Sequence, residues 1–422
     1  MKRSCRVLTI LLFVIFLCQT DALAAQPELN YDQTELNEKV DAFIDEFGEK
    51  TVGANLSLFT AEEVLLERFI GFQDREADIP MGEETVVEWG SVTKLLTWIS
   101  VMQMVEKGEI DLDEDIQTYL PAGFLTNLRY QGPLTMLHLM NHNAGFQEEL
   151  VDIMVQDIGD VLPLEDALAK RKPAQVFMPG EFTAYSNWGT ALAAFIVERV
   201  SGEDFADYVH NHIFEPLGME STAIRPGLSD NAWVLGQRKK LSCYRENGAL
   251  YPDSFLHIPL YPAGMATGTL GDFRLFAQSL LVQEGEGSPL FDRPQTFAFM
   301  VSPSSTFTGT EIPRNCHGFW FQDLGRNIIG HGGNTAGCTS HLLLDLEAGV
   351  GYVVMTNQQN ETTYNIDLPK QLFGEFSESA YYDPDRELPK SMFYSARGIF
   401  EGPLKFSNVM LESMEEKDKT AL

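Results

Sequence analysis

Ser91 and Lys94 stand three residues apart in "EWGSVTKLL", where a short β-type run gives way to a helical one. A serine hydroxyl is a weak nucleophile until a neighbour takes its proton. Residues three apart on a helix share a face, so the Lys94 amine can reach the Ser91 oxygen. A lysine in water holds its proton up to a pH of about 10.4. It acts as a base only where burial or a nearby positive charge lowers that affinity, so this pair demands an enclosed site. Alone, S-x-x-K is a weak signal, since any helix start with a surface lysine supplies it.

Two later clusters add to it. Tyr185, Ser186 and Asn187 precede "WGTALAAFIVERVSG", a helical run with Leu192, Phe195 and Ile196 on one face. A phenol can relay a proton, and an amide can hold both the lysine and a substrate carbonyl. The plain alternative is a helix N-cap that happens to read Y-S-N. Further on, "GHGGNTAG" carries His331, Gly332, Gly333 and Asn334 on a late strand. The histidine offers a polar handle, and the glycines let a substrate backbone lie along the strand edge.

In this order, S-x-x-K, Y-S-N and a K-T-G-like triplet resemble the signature of serine β-lactamases and penicillin-binding proteins. The Y-S-N form is similar to the class C β-lactamase and DD-peptidase branch, with its esterase and D-amino-acid peptidase relatives. The likeness runs over residues 33–376 and includes "LTMLHLMNHNAGF", "IFEPLGMEST", "YPAGMATGTLGDFRLF" and "HGGNTAGCTSHLLLDLEAGVGYVVMTN". It implies Ser91 as acylated nucleophile, Lys94 as base, Tyr185 as proton relay and Asn187 as orienting amide. Backbone N–H groups of Ser91 and Asn334 would form the oxyanion hole. It implies no cofactor and no metal, and a small molecule or short peptide as substrate.

One departure redirects the substrate. His331 stands where the K-T-G lysine would be, and Gly332 replaces the threonine, so the cation that pairs with a substrate carboxylate is weakened. A D-amino-acid peptide or carboxylic ester is therefore expected. The alternatives are a class C-type β-lactamase or DD-carboxypeptidase and, outside enzymes, a penicillin-binding acyl sensor. In the family's layout Glu88, His257 and Asn334 border the acyl site, where they could together satisfy a small carboxamide.

Periodicity predicts the elements that position these residues. A helix near 31–47 is followed by strands at "GANLSLF" and "VLLERFIGF" and a third at "TVVEW". Val92, Leu95, Leu96, Ile99, Met102 and Val105 then repeat at helical spacing up to Gly108. Residues 109–300 are mostly helical in pattern, and strands return at "RNIIGHGG", "HLLLDL" and "GYVVMTN". The expected fold is α+β, of the β-lactamase/transpeptidase-like kind: an antiparallel sheet built from both ends, flanked by helices, with a mainly helical insertion.

Residues 1–24 place Lys2, Arg3 and Arg6 before an apolar run and Ala22-Leu23-Ala24, the pattern of a secretory signal peptide. A linker at 25–32, a hydrolase domain at 33–376 and a partly disordered extension at 377–422 complete the expected organisation. The mature chain would be secreted or periplasmic, without a stable membrane span. A formal net charge of −31 argues against nucleic acid as a partner. Cys243, Cys316 and Cys338 give neither a disulfide framework nor metal-ligand spacing, and are expected as buried free thiols. His138 and His142, four apart but without a following glutamate, read as capping or packing residues.

Overall fold

The first and last strands of the fold lie side by side. β1 (Gly53–Thr60) pairs antiparallel with β2 (Val64–Asp74), and β2 with β3 (Ile79–Pro80). The short strands β4 (Val87–Glu88), β5 (Thr222–Ala223), β6 (Cys243–Tyr244), β7 (Leu250–Tyr251) and β8 (Thr267–Gly268) follow. Last come β9 (Ser305–Thr306), β10 (Pro313–Cys316), β11 (Phe319–Phe321), β12 (Ile328–Asn334), β13 (Thr339–Asp345) and β14 (Val350–Thr356). β14 returns to pair with β1, from Ala54 opposite Thr356 to Thr60 opposite Val350. The main sheet runs β3-β2-β1-β14-β13-β12-β11-β10-β9. This computed structural model describes residues 33–374, apart from 127, 149–151, 283–286, 308–312 and 323. The leader at 1–24, the linker at 25–32 and the extension at 377–422 lie outside the described residues.

The fold is the expected α+β arrangement with an antiparallel sheet. β1 and β14 are buried nearly end to end, which explains their continuous apolar text. Helix α1 (Gln33–Phe47) buries Leu36, Val40 and Phe43 and packs on β2. Helix α2 (Lys94–Lys107) is buried from Lys94 to Met104 on every side, so it is a core helix rather than an amphipathic one. Gly108 ends it at φ 74°, a left-handed cap that glycine adopts without strain. Helices α3 (Met136–Met140), α4 (Leu164–Lys170) and α5 (Asn187–Ser201) follow, and α5 packs against α2. Leu192, Phe195 and Ile196 are all buried in that contact region, each contributing roughly 1.5–3 kcal/mol.

"TVVEW" does not join the main sheet, because Val87 and Glu88 pair with Gly268 and Thr267 of β8, which in turn pairs with β5. That small separate sheet sets the direction in which the chain enters the Ser91 turn.

Candidate active site

Ser91 lies in a 3-10 turn, Gly90–Thr93, and α2 proper begins at Lys94. The turn is held on all sides. Trp89 N–H donates to Ala266 O at 2.8 Å, and Ser340 Oγ donates to Trp89 O at 2.7 Å. Thr93 Oγ1 donates to Gly90 O at 2.6 Å and accepts from Ala266 N–H at 3.0 Å. Gly90 has φ 52°, and a Cβ there would sit 2.6 Å from the Asn334 nitrogen. A Cβ on Gly333 would sit 2.0 Å from Trp89 O and 3.1 Å from Ser91 N. The two glycines therefore let the turn and the end of β12 touch backbone to backbone. This contact brings the Ser91 and Asn334 N–H groups into one neighbourhood.

Lys94 is wholly buried. Its Nζ is 2.6 Å from Asn187 Oδ1, 2.6 Å from Ala263 O and 3.1 Å from Ser91 Oγ. Desolvation holds its pKa down to about 7, partly opposed by the charge of Glu148. A neutral amine has two hydrogens and one lone pair. The two short bonds use both hydrogens, so the lone pair is left facing the Ser91 hydroxyl. This arrangement can accept a proton from serine at neutral pH.

Asn187 opens α5, with Ser186 as its N-cap: Ser186 Oγ accepts from Gly189 N–H at 2.9 Å. The N-cap reading and the site reading of Y-S-N thus hold together. Asn187 N–H donates to Glu148 Oε2 at 2.9 Å, and its Nδ2 donates to Glu148 Oε1 at 2.7 Å. Asn187 and Glu148 also line a small pocket with Ile153, Arg171, Trp188 and Leu260.

The Tyr185 phenol lies beside Ser91, and Lys94 Nζ is 4.8 Å from its ring centre. Burial pushes its pKa above the ordinary phenol value, so it is a neutral O–H. His142 stacks on the Tyr185 ring with centroids 4.5 Å apart, and Trp320 contacts both rings, 5.6 Å from His142 and 6.3 Å from Tyr185. His142 Nδ1 accepts from Ser186 N–H at 3.1 Å. His142 was expected to cap or pack; it packs, but against the tyrosine of the site. Its signal was weak, because a stacked ring leaves no periodic pattern. His138 does cap: Thr135 N–H donates to its Nδ1 at 3.1 Å. Among the described residues no cluster of His, Cys, Asp or Glu could hold a metal ion.

His331 is brought near Tyr185, with ring centroids 6.3 Å apart, and is buried. Its Nδ1 is 2.7 Å from Gly332 O, and desolvation together with Lys94 drives its pKa down to about 3. It therefore supplies no positive charge at neutral pH. Gly332 is half-buried and Asn334 is exposed at the strand end, where its Oδ1 accepts from Thr339 Oγ1 at 3.2 Å.

Glu88 requires correction as a substrate-reading group. It is buried and spent on Arg238, whose Nε donates to Glu88 Oε1 at 2.8 Å while Nη2 lies 2.6 Å from the same oxygen. A buried carboxylate needs such a cation, and the sequence did not reveal a partner 150 residues away. His257 is buried in a bridge with Val155 (His257 N–H to Val155 O, 2.8 Å), and feels the charge of Glu88. Of the three residues Glu88, His257 and Asn334, Glu88 is thus committed to Arg238, while Asn334 is exposed at the strand end. Among the functional neighbours, Glu148, His142, Trp320 and the Ala263 carbonyl were not singled out as site groups from sequence.

The family model described as "Beta-lactamase" matches residues 40–373. Esterase EstB of Burkholderia gladioli is 31% identical over 201 residues, covering 44% of this chain and 51% of its own length. Penicillin-binding protein 4 of Amycolatopsis lactamdurans is 25% identical over 363 residues, covering 82% of this chain and 91% of its own. Of other curated relatives the chain spans less, 36% of one and 46% of another. Among solved structures, D-amino acid amidase from Ochrobactrum anthropi SV3, complexed with L-phenylalanine, superposes with a TM-score of 0.65 at 21% identity. That match covers 80% of this chain and 97% of the amidase, and at such identity it shows the fold.

Proposed function

The chain belongs to the β-lactamase family, and on that premise we propose that it is a serine hydrolase working through an acyl-enzyme on Ser91. The observation that carries the proposal is the fully buried Lys94 amine, with two 2.6 Å acceptors and its third contact, at 3.1 Å, on Ser91 Oγ. Lys94 takes the serine proton as Oγ bonds to the substrate carbonyl carbon. The resulting oxyanion is held by the backbone N–H groups of Ser91 and Asn334. Tyr185, kept as a neutral O–H, passes a proton to the leaving group and is reprotonated through Lys94. Water then attacks the ester by the reverse route. Asn187 orients both the lysine and the substrate carbonyl.

The substrate class we propose is a D-amino-acid peptide or amide, or a carboxylic ester. Support comes from the uncharged, buried His331, which leaves a β-lactam carboxylate without the cation that K-T-G would supply. The esterase and amidase among the similar proteins point the same way. Export is proposed from the leader-like residues 1–24, and no helix among the described residues is long and apolar enough to cross a membrane.

The test is covalent labelling with a fluorophosphonate, followed by turnover on p-nitrophenyl esters, D-amino-acid amides and nitrocefin. Labelling should be lost in Ser91→Ala, and esters or D-amides should outrun nitrocefin. Persistent labelling of Ser91→Ala overturns the nucleophile. Nitrocefin as the fastest substrate makes the protein a β-lactamase instead.

A further inference from the structure

Two thiols that the hydrolytic scheme does not use lie against each other close to the acyl site. Cys243 on β6 and Cys338 in the turn joining β12 to β13 have their sulfurs 3.7 Å apart, and both are buried. The backbones are pressed together as well, since a Cβ on Gly337 would fall 2.3 Å from the Cys243 Cβ. Arg238 Nη2 donates to Cys243 Sγ at 3.4 Å, from the same guanidinium that holds Glu88. We propose that Cys243 and Cys338 are a redox-modification site, a dithiol that a water-sized peroxide oxidises to a disulfide.

The surroundings assign a role to each sulfur. The two sulfurs share a hydrogen bond and Arg238 sets its positive charge beside Cys243, so the Cys243 thiol is the more acidic of the pair while Cys338 keeps its proton. Glu88, held by the same Arg238 nitrogen, opposes this. The Cys243 thiolate attacks one oxygen of hydrogen peroxide, giving a sulfenic acid and hydroxide, which takes up the proton that Cys243 released. The Cys338 sulfur then attacks the sulfenic sulfur; the S–O bond breaks and the Cys338 proton leaves with that oxygen as water. Overall, two thiols and one peroxide give one disulfide and two waters. The S–S bond of about 2.05 Å requires the sulfurs to close by roughly 1.7 Å, a distance that side-chain rotation covers. Burial at both sulfurs favours an oxidant of water size over a bulky disulfide. The third thiol among the described residues, Cys316, is a built-in control: it is buried, and burial raises its pKa.

The closed form would tie the turn that follows Asn334 to β6. The full chain is treated with one to five equivalents of hydrogen peroxide, or with oxidised glutathione, then denatured, alkylated and weighed. Peroxide should remove two alkylatable thiols and leave a peptide pair joined through Cys243 and Cys338, reversed by dithiothreitol, with Cys316 still alkylated. Oxidised glutathione should act at least tenfold more slowly. In Cys338→Ser, peroxide should instead yield one dimedone adduct on Cys243. Cys243 and Cys338 both still alkylatable after peroxide, oxidation of Cys316 at the same rate, or sulfinic acid in place of the crosslink would each overturn the proposal.

Discussion

Asn187 Nδ2 donates to Glu148 Oε1 at 2.7 Å, and this bond decides which end of the amide faces Lys94. The amide oxygen is thereby turned to the lysine at 2.6 Å, and the backbone N–H of the same residue is held by the other carboxylate oxygen. Glu148 also acts at a distance, since its charge raises the pKa of Lys94 against the desolvation that lowers it.

Glu148→Gln should therefore change both rate and pH profile. A glutamine has one acceptor oxygen where two N–H donors now bind, so the amide of Asn187 loses its fixed orientation. Turnover should fall on the order of 10²-fold, as for other small misplacements of a reacting group. The acid limb of kcat/KM should move to lower pH, because a charge that favours the lysine cation has gone. A limb that stays in place would show that the carboxylate only holds the amide.

In the natural protein the acid limb itself should lie near pH 7. Lys94 is a base whose pKa is depressed from 10.5 to about 7 on folding, so it is protonated and idle below that pH and neutral above it. Activity should rise through pH 7 to a plateau, the limb reporting the free enzyme. Lys94→Met should lower turnover by about 10²–10⁴-fold and abolish the limb in any residual activity.

Gly333→Ala should disable the site while leaving its side chains in place. The added methyl would lie 2.0 Å from Trp89 O, and a backbone atom cannot swing aside as a side chain can. β12 and the Ser91 turn must then part, and Asn334 N–H leaves the oxyanion position. A loss of about 10²–10³-fold in kcat, with fluorophosphonate labelling slowed in parallel, is the expected result. Gly236→Ala, at an exposed position with open space around the new Cβ and no left-handed φ, should keep full activity.

What could be read from the chain depended on the range of the interaction. The α2 core, the α5 face and the hairpin of β13 and β14 carry local periodicity, and Ser91, Lys94, Tyr185 and Asn187 fall at fixed places in or beside those elements. The partners that tune them do not. Glu148 is 39 residues from Asn187 in a stretch with several acids, and the Ala263 carbonyl has no side-chain signature at all. "TVVEW" reads as a strand because its residues favour β structure. Which sheet receives it is decided by β8, far along the chain.

The same limit concealed the partner of Glu88, and it supplies the last prediction. Glu88 sits three residues before Ser91, and its side chain, like that of Arg238, is almost completely shielded from water. Arg238→Met leaves the carboxylate buried and unpaired, which should destabilise the fold by about 3–5 kcal/mol. Pairing it with Glu88→Gln removes the stranded charge, so the double variant should regain a large part of that loss. If the pair is structural, the double variant should discriminate N-acyl-D-Asn from N-acyl-D-Leu amides as the natural protein does, with any change in rate shared by both substrates. A selective loss on the Asn substrate would return Glu88 to the substrate pocket and contradict its assignment to Arg238. Chemical denaturation of the two single variants and the double variant, read beside those two rates, separates the cases.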